Sequence, residues 1–416
     1  MDVQDVVSQQ TAMVPAVAPR ISSLPPEIVA YILSFVTSTA VLATAVKVCR
    51  EWYANCVEAL WSTLAPTAFS QLVSIAHNVA TSSKNRLLLN FDFGGSATVL
   101  RFVKKIDLTK VKYFDSEPTA ALNRILFHTT NLQVAQFDNC LWIKSETIAP
   151  LVNCLRLAHL SLSGCAQVTS LPITQMPNLD TLLLAHCERV VFNERVVAEL
   201  CTDRLKHVHI PIYYLKSSTA TVAALLRRFA SSLENLVLDS LLVHAQQSDF
   251  SAAAFENAPP LPNLLELHLS FCAVPDSTLA ALYAPRLTTL TVAGSHEVDA
   301  ISLSTLVKSK PHLRTLNLPL RPLSDSDAIQ ILGLTPDSGP AVQLETLNLD
   351  YVPALTDEFV YALDSMSNLK CLSLKGNINI SDDAAIWVSD RFPGIQFFYD
   401  IDAMELAALL EESDDD

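Results

Sequence analysis

The segment Ser163-Gly164-Cys165 contains a thiol of the kind that acts as a nucleophile in covalent catalysis. Such a thiol needs a positioned base to remove its proton, and the sequence around Cys165 offers no evident base. Phosphate-binding loops of the GxxxxGK[S/T] or GxGxxG type do not occur, and the chain has only 8 glycines. The sequence therefore predicts no catalytic residue, no cofactor and no enzymatic activity of the chain itself.

Histidines are the other residues that could do chemistry. His207 and His209 are two positions apart and would share one face of a strand, with His159 and His268 on nearby strands. A metal site needs three or more converging ligands, and Asn235 and other residues on the strand between would keep these imidazoles apart. We expect polar surface contacts here and no metal.

Composition excludes several further classes of function. The chain has 416 residues and a formal net charge of −15, which argues against nucleic-acid binding because phosphate contacts need clustered Lys and Arg. Its 9 cysteines are scattered, a pattern typical of reduced thiols in the cytoplasm or nucleus. The first twenty residues lack a continuous apolar region, so we expect no secretory signal.

The elements that would position side chains follow from a repeat. From residue 132 the pattern LxxLxLxx recurs at about the 20–29-residue period of leucine-rich repeats, followed by Cys, Asn or a substitute. The matching segments are 132–140, 157–165, 179–187, 205–213, 233–241, 264–272, 287–295, 313–321, 344–352 and 369–377. Segment 103–111 is a possible earlier repeat, 87–95 a possible opening strand, and 395–400 a truncated closing strand.

Each repeat predicts a strand followed by a helical piece. The first, fourth and sixth positions would point inward and stack in apolar layers, because a single unit cannot bury its own apolar face. Ser324, Thr356 and Ser381 are candidate N-caps with acids in the first helical turn. The expected fold class is α/β, a leucine-rich-repeat solenoid shaped as a horseshoe with a parallel sheet on its concave face.

The outward positions of these strands form the candidate surface for binding a target protein. Solenoid arrays present such extended surfaces to partners, and a minority of the residues carries most of the binding energy. The predicted target-binding residues are His207, His209, Asp239, Glu266, His268, Thr291, Asn317, Asn348, Asp350 and Lys375.

A second apolar region lies near the N-terminus. Residues 28–46 contain no charged side chain, but hydroxyl residues interrupt the run, so a membrane span is not expected. Pro25 and Pro26 suit the start of a helix, and Ile28, Ile32, Phe35 and Val36 fall on one of its faces. Residues 37–39 predict a loop, and 42–56 carry the apolar stripe of a second helix. This segment has more apolar surface than so short a piece can bury, so a partner is expected to cover part of it.

This N-terminal segment resembles the F-box. The resemblance covers about forty residues and rests on Leu24, Pro25, Glu27, Ile28, Ile32, Leu33, Leu42, Val48, Cys49, Arg50, Trp52, Leu60 and Trp61. It implies that the covering partner is the Skp-type adaptor of a cullin-RING ubiquitin ligase. An ordinary helical hairpin that packs on the rest of the chain is the alternative. The adaptor-binding residues that the resemblance implies are Leu24, Pro25, Ile28, Ile32, Leu33, Leu42, Val46, Cys49, Trp52 and Trp61.

The ninth repeat position resembles the cysteine-containing leucine-rich repeats that commonly follow an F-box. Cys140, Cys165, Cys187 and Cys272 occupy this position, with Asn377 in the last unit. By this resemblance, the side chains bond the backbone where the chain leaves each strand, which also accounts for Cys165 without catalysis. We name this series of side-chain bonds the ladder. Four repeats depart from the pattern, and we expect the ladder to break there; the departing residues are Tyr213, Leu241, Arg321 and Val352.

The predicted organisation has five parts. They are a disordered arm (1–20), F-box helices (21–64), a linker with degenerate repeats (65–130), the repeat array (131–400), and a C-terminal helix with an acidic tail (401–416). The resemblance implies a substrate-recognition subunit that reaches cullin and RING subunits through the Skp-type adaptor and holds an unidentified target protein for ubiquitination. The alternative is a leucine-rich-repeat scaffold for protein–protein interaction without ubiquitin output.

Overall fold

The computed structural model describes ten stretches of the chain, and it divides the chain into two compact units, Met1–Thr63 and Leu64–Asp416. No helix among these described residues is both long and apolar enough to cross a membrane. The predicted N-terminal arm, the segment 87–95 and the predicted C-terminal helix and acidic tail lie outside the description. The described stretches are 25–36, 38–48, 50–81, 96–111, 119–211, 218–239, 253–272, 275–294, 299–334 and 343–399.

The first unit contains three short helices, α1 (Pro26–Ser34), α2 (Thr39–Ala45) and α3 (Arg50–Trp61). Prolines begin α1 as predicted, because the first helical turn loses no internal hydrogen bond there. The single helix predicted over 42–56 is wrong, since a turn separates α2 from α3. Val48 N–H donates to the Ala45 carbonyl at 3.0 Å in this turn. β-branched valines at 46 and 48 lower the helix propensity at this point.

In the described part of the chain, a parallel sheet of thirteen strands in strict chain order confirms the predicted solenoid of leucine-rich repeats. Segment 103–111 contributes a strand, so the array begins before residue 132. The strands are β1 (Thr63–Leu64), β2 (Lys105–Asp107), β3 (Val134–Gln136), β4 (His159–Ser161), β5 (Thr181–Leu183), β6 (His207–Pro211), β7 (Asn235–Asp239), β8 (Glu266–Ser270), β9 (Thr289–Ala293), β10 (Thr315–Asn317), β11 (Thr346–Asn348), β12 (Cys371–Ser373) and β13 (Gln396–Phe398).

Helical segments connect the strands, and neighbouring helices contact one another along the array. Short 3₁₀ helices lie at Ser96–Phe102, Ala149–Asn153, Ile173–Gln175 and Leu363–Ser365. The α-helices of this second unit are α4 (Phe69–Thr81), α5 (Thr119–His128), α6 (Ser145–Ile148), α7 (Glu194–Glu199), α8 (Ser218–Phe229), α9 (Ala253–Glu256), α10 (Asp276–Ala281), α11 (Ala300–Ser309), α12 (Asp325–Leu332), α13 (Asp357–Ala362) and α14 (Asp382–Arg391).

The core consists of the inward positions of the repeats, as the leucine pattern predicted. In the ten repeats from residue 132, no residue at the first, fourth or sixth position is more than 6% exposed. The strand register aligns equivalent positions, so that Leu316 of β10 pairs with Leu290 of β9 and Leu347 of β11. Stacking of like positions buries one continuous apolar column across the sheet.

The eighth repeat position turns the chain out of each strand with a positive φ. The value lies between 53° and 78° at the eight repeats described there, although most L residues avoid this region. At Phe271 the backbone N–H donates to the Ala293 carbonyl of the next repeat at 2.8 Å, so the unusual φ extends the inter-strand ladder. The residues are Asn139, Gly164, His186, Phe271, Gly294, Leu320, Tyr351 and Gly376.

Two of these turns pair an aromatic ring with a glycine. A Cβ at Gly294 would lie 2.2 Å from the ring of Phe271, and a Cβ at Gly376 would lie 2.3 Å from the ring of Tyr351. Each aromatic side chain therefore occupies the space that a side chain at the next repeat would need. Glycine is required at both positions by space as well as by φ.

The ninth position forms the expected ladder to the preceding strand. Each thiol donates to the carbonyl at the sixth position of the preceding repeat, as in Cys165 to Phe137 at 3.1 Å and Cys187 to Leu162 at 2.9 Å. Asn377 does the same with its amide, donating to the Leu349 carbonyl at 2.9 Å. The residues predicted to break the ladder at 213 and 241 lie outside the description.

Arg321 replaces the ladder thiol with a buried ion pair. Its guanidinium donates to both carboxylate oxygens of Asp276, at 3.2 and 2.8 Å, and the two side chains are 0% and 1% exposed. Asp276 also accepts a hydrogen bond from the Asp299 N–H at 2.9 Å. Burial raises the pKa of the Asp276 carboxyl, and Arg321 opposes this by stabilising the ionised form. The departure at Arg321 thus joins three successive repeats.

The predicted N-caps at Ser324, Thr356 and Ser381 are confirmed by hydrogen bonds from the first helical turn. The acids that follow such caps have a second role that the sequence did not predict. Each carboxylate accepts the backbone N–H of the residue that caps the next helix, at 2.7–2.9 Å, and so ties consecutive helices together. The pairs are Asp276 with Asp299, Asp325 with Thr356, and Asp357 with Ser381.

Candidate functional site

The three-helix unit has a small core of its own. Val29 and Leu33 of α1 pack with Leu42 and Ala45 of α2 and with Cys56 of α3, and each is at most 6% exposed. Partly buried side chains surround this cluster, namely Val36, Val46, Trp52 and Leu60. These contacts use only one face of α1.

The opposite face of α1 is apolar and exposed. Ile28, Tyr31, Ile32 and Phe35 recur at three- and four-residue spacing and are 46%, 64%, 49% and 67% exposed. The rings of Tyr31 and Phe35 meet edge to face, with centroids 4.9 Å apart. We name these four residues the α1 patch. A contiguous exposed apolar patch of this kind is a candidate interaction surface.

The structure divides the predicted adaptor-binding residues into groups. Pro25, Ile28 and Ile32 are exposed, whereas Val46, Trp52 and Trp61 are partly buried. Leu33 and Leu42 belong to the core of the three helices, where they support the exposed side chains; their contact with an adaptor stays a prediction. Leu24 and Cys49 lie outside the described residues.

Sequence reasoning missed Tyr31 and two exposed valines beyond α1. Tyr31 lies three residues after Ile28 and four before Phe35, so helical spacing alone could have placed it on the patch. Val41 and Val48 are 52% and 59% exposed. No periodic signal distinguished them from the buried residues around them.

The second candidate surface is the outward side of strands β2–β13, which we name the open face. Its residues occupy the third, fifth and seventh repeat positions and stand in register across the sheet. At the fifth position, His209 pairs with Val237, Val237 with His268, and His268 with Thr291. The row continues from Thr291 to Asn317 and Asn348. Nine of the ten predicted target-binding side chains therefore lie on this face; the side chain of Asp239 is outside the description, although its backbone pairs in β7.

A network of polar side-chain contacts crosses β7 to β10 at the centre of the open face. Asn235 donates to the Glu266 carboxylate, whose oxygen lies 3.8 Å from Nε2 of His268. Nδ1 of His268 is 2.9 Å from the Thr291 hydroxyl, which also accepts from the Asn317 amide at 2.9 Å. These side chains hold each other in place, so a target would meet a preorganised polar surface.

Asp350 organises the face near its C-terminal end. Its carboxylate accepts the Ser373 hydroxyl at 2.6 Å and the Lys375 N–H at 2.9 Å, and its own N–H donates to the Asn348 side chain at 2.9 Å. The Lys375 ammonium lies 5.3 Å from the centre of the Phe398 ring. Phe398 is 44% exposed and was not among the predicted residues.

The histidines do not converge. Thr181 stands between His159 and His207 in the register of the third position. Across the described stretches, no group of three or more His, Cys, Asp or Glu side chains could hold a metal ion. Burial lowers the pKa of His159, against the pull of the Asp180 and Asp138 carboxylates.

The buried ladder thiols are poor nucleophiles. Burial raises the pKa of Cys140 to about 12 and that of Cys187 to about 11, and it raises the pKa of Cys165 well above its usual value. Because the thiolate is the reactive form, these side chains are suited to donating hydrogen bonds.

Comparison with known proteins gives three findings. No curated protein sequence matches the chain significantly. Among solved structures, the crystal structure of the Rad7 and Elc1 complex in yeast contains a similar chain, with 15% sequence identity and a TM-score of 0.41 over 89% of this chain and 92% of that one. Residues 21–67 match the family model described as F-box-like, and this match identifies the N-terminal unit as an F-box-like domain.

Proposed function

We propose that this protein is the substrate-recognition subunit of an SCF-type cullin-RING ubiquitin ligase. The observation that carries the proposal is the F-box-like match at residues 21–67 together with the exposed α1 patch inside it. In this role the F-box-like domain binds a Skp-type adaptor, and the repeat array binds a target protein for ubiquitination and proteasomal degradation. The protein would work in the cytoplasm or the nucleus.

The adaptor contact is assigned to the α1 patch. Fully burying an exposed large apolar side chain contributes about 1.5–3 kcal/mol. The four patch residues are about half exposed, so each would contribute about half of that to adaptor binding. Only part of this gain appears as affinity, because association costs translational and rotational freedom. Among the predicted residues that the structure describes, Pro25, Ile28 and Ile32 are exposed and can make the contact.

The target contact is assigned to the open face. Its side chains are partly exposed, aligned by the strand register and held by the network from Asn235 to Asn317. The thiol-to-carbonyl bonds at the ninth position, such as that of Cys165, support the resemblance to cysteine-containing repeats. The chain itself would contribute proximity, since holding two reactants together raises their effective concentration.

Co-purification with a Skp-type adaptor tests the first contact. The full chain is expected to bind, and the double variant Ile28→Glu with Ile32→Glu is expected to lose binding, because two charges would be buried in an apolar interface. Ile301→Glu is the matched control, since Ile301 is 68% exposed on α11. Leu24→Ala with Pro25→Ala tests the resemblance itself. Absence of binding by the unmodified chain would defeat the proposal.

Target abundance tests the ubiquitin output. Proteins captured by the open face should accumulate in cells depleted of this chain, and they should stop binding when Glu266, His268 and Asn317 are changed to Ala. A scaffold without ubiquitin output would leave the level of the same partners unchanged. Retained binding by the alanine variant would refute the assignment of the open face.

A further inference from the structure

The C-terminal end of the array is open in the described part of the chain. β13 pairs with β12 on one side, and no strand among the described residues pairs with its other side. The Leu349 N–H and the Leu374 N–H each donate to a carbonyl of the following strand at 2.9 Å. The Tyr399 N–H holds the equivalent position after β13, where the description contains no following strand. An open sheet edge can pair with another chain unless something covers it.

The apolar core is also uncovered at this end. From β2 to β12, the residue at the fourth repeat position is at most 1% exposed, as Leu347 and Leu372 are. Phe397 holds this position in β13 by its register with Leu372, and it is only partly buried. Tyr399 is likewise partly buried, and the two rings are nearly parallel with centroids 5.9 Å apart. Solenoids need a cap that covers the apolar face of the terminal unit.

Helix α14 has an uncovered side as well. Val388 is buried in the core, and Trp387 meets the Tyr361 ring of α13 edge to face with centroids 5.3 Å apart. Ala385 and Ser389 lie two residues before and after Trp387, so they fall on the side of α14 away from α13. In the described part of the chain no helix follows α14 to pack there. We name this surface the end face; it consists of Ala385, Ser389, Phe397 and Tyr399.

The chain itself supplies a segment that fits the end face. Residues 400–416, which lie outside the described stretches, follow Tyr399 directly, so no linker has to be crossed. Within them four apolar residues recur at three- and four-residue spacing, which predicts one stripe of a helix. As a helix, residues 401–410 would span about 15 Å, which is also the length of the ten-residue α14. We name the four residues the cap stripe; they are Ala403, Leu406, Ala407 and Leu410.

Contact through the cap stripe keeps the acids of this segment in solvent. Asp402, Glu405 and Glu412 fall on the opposite side by helical spacing. The chain has a formal net charge of −15, so an arrangement that holds these carboxylates away from the surface reduces repulsion. The attraction is therefore apolar. The direct connection to Tyr399 supports it, because a short tether gives an effective concentration of about millimolar.

We propose that residues 401–410 of this chain cover the end face and form the C-terminal cap of the solenoid. The cap stripe packs on the rings of Phe397 and Tyr399 and on the uncovered side of α14. The cap also protects the open edge of β13 from pairing with a second copy. This inference concerns the end of the array, so it depends on neither the α1 patch nor the proposed ligase role.

Photo-crosslinking in the full chain tests the contact. The variant Leu406→benzoylphenylalanine is expected to crosslink to α14 within the monomer. Glu405→benzoylphenylalanine, on the opposite side of the predicted helix, is the matched control and should not. Trypsin separates the two partners, because α14 lies in peptide 376–391 and no Lys or Arg follows Arg391 in the sequence. Absence of this crosslink would overturn the inference, and so would a crosslink confined to a dimer, which would make a second copy the occupant.

Hydrogen exchange of residues 395–399 supplies an independent measure. Leu406→Asp with Leu410→Asp should speed exchange there at least about tenfold, because it places charges in an apolar contact and opens the cap. Ala408→Asp adds a charge on the opposite side of the predicted helix and should leave exchange unchanged. All these variants should keep adaptor co-purification, which separates a failure here from a failure of the proposed function. Unchanged exchange in the double variant, or an equal increase in Ala408→Asp, would overturn the inference.

Discussion

Removing the charge of Arg321 is the change whose effect on the free energy of unfolding follows most directly from the structure. Arg321→Met keeps much of the side chain's volume and leaves the Asp276 carboxylate buried without its partner. The carboxylate is 1% exposed and would retain only the hydrogen bond from the Asp299 N–H among the bonds described here. Breaking a buried ion pair in this way costs about 3–5 kcal/mol of the free energy of unfolding.

Two further variants isolate the cause. Arg391→Met breaks the exposed pair with Asp364, whose side chains are 46% and 64% exposed, and should cost less than about 1 kcal/mol. Asp276→Leu combined with Arg321→Met replaces both charges with apolar groups and should recover most of the loss. Urea unfolding followed by circular dichroism gives all three free energies.

The pH dependence of Arg321→Met supplies a second check. Burial raises the folded-state pKa of Asp276, and without Arg321 only the hydrogen bond from the Asp299 N–H opposes that rise. A raised folded-state pKa means that the neutral carboxyl is favoured, so stability is kept at low pH and lost as pH rises through that pKa. The deficit relative to the unmodified protein should therefore be larger at pH 8 than at pH 5. A cost no greater than that of Arg391→Met, or an equal deficit at both pH values, would refute the reasoning.

Three other outcomes follow from single positions. Lowering the pH from 7.5 to 5.5 should destabilise the protein less when His159 is changed to Gln. The folded-state pKa of His159 is depressed, so below about pH 6.5 the unfolded chain binds a proton at this residue more readily than the folded protein, and the folded protein loses stability. Unfolding curves at both pH values measure this difference. Gly376 and Gly394 both have a positive φ, which costs an L residue such as Ala about 1–2 kcal/mol. Gly376→Ala should lower the thermal unfolding midpoint more than Gly394→Ala, because only the Cβ at 376 would strike an aromatic ring. Iodoacetamide at pH 7.5, read by mass spectrometry, should label exposed Cys201 and leave buried Cys165 unmodified until the protein unfolds.

The sequence predicted the repeat architecture well because its signal is redundant. Every repeat has apolar residues at the same first, fourth and sixth positions, and the burial of residues such as Leu344, Leu347 and Leu349 follows directly from this pattern. The helix caps were also predictable, since Ser or Thr before acidic residues is a local signal. Local sequence rules were therefore sufficient to predict the structure wherever it follows the repeat period.

Features that depend on distant partners could not be predicted. Arg321 and Asp276 are 45 residues apart, and no local pattern connects them. Local propensity even argues against a positive φ at Phe271 or Tyr351, which the inter-strand ladder imposes. Sequence could not separate contact from core in α1 either, because Ile28 and Leu33 are equally apolar.

The aromatic–glycine turns have a consequence for how this array can grow or shrink. Phe271 with Gly294, and Tyr351 with Gly376, are matched couples in adjacent units. Excising the glycine unit alone, or duplicating the aromatic unit alone, would bring a bulky ring against a neighbour that has a Cβ. Insertions and deletions that preserve both members of a couple should be tolerated. In these stretches, engineered arrays should therefore be lengthened or shortened by two adjacent repeats at a time.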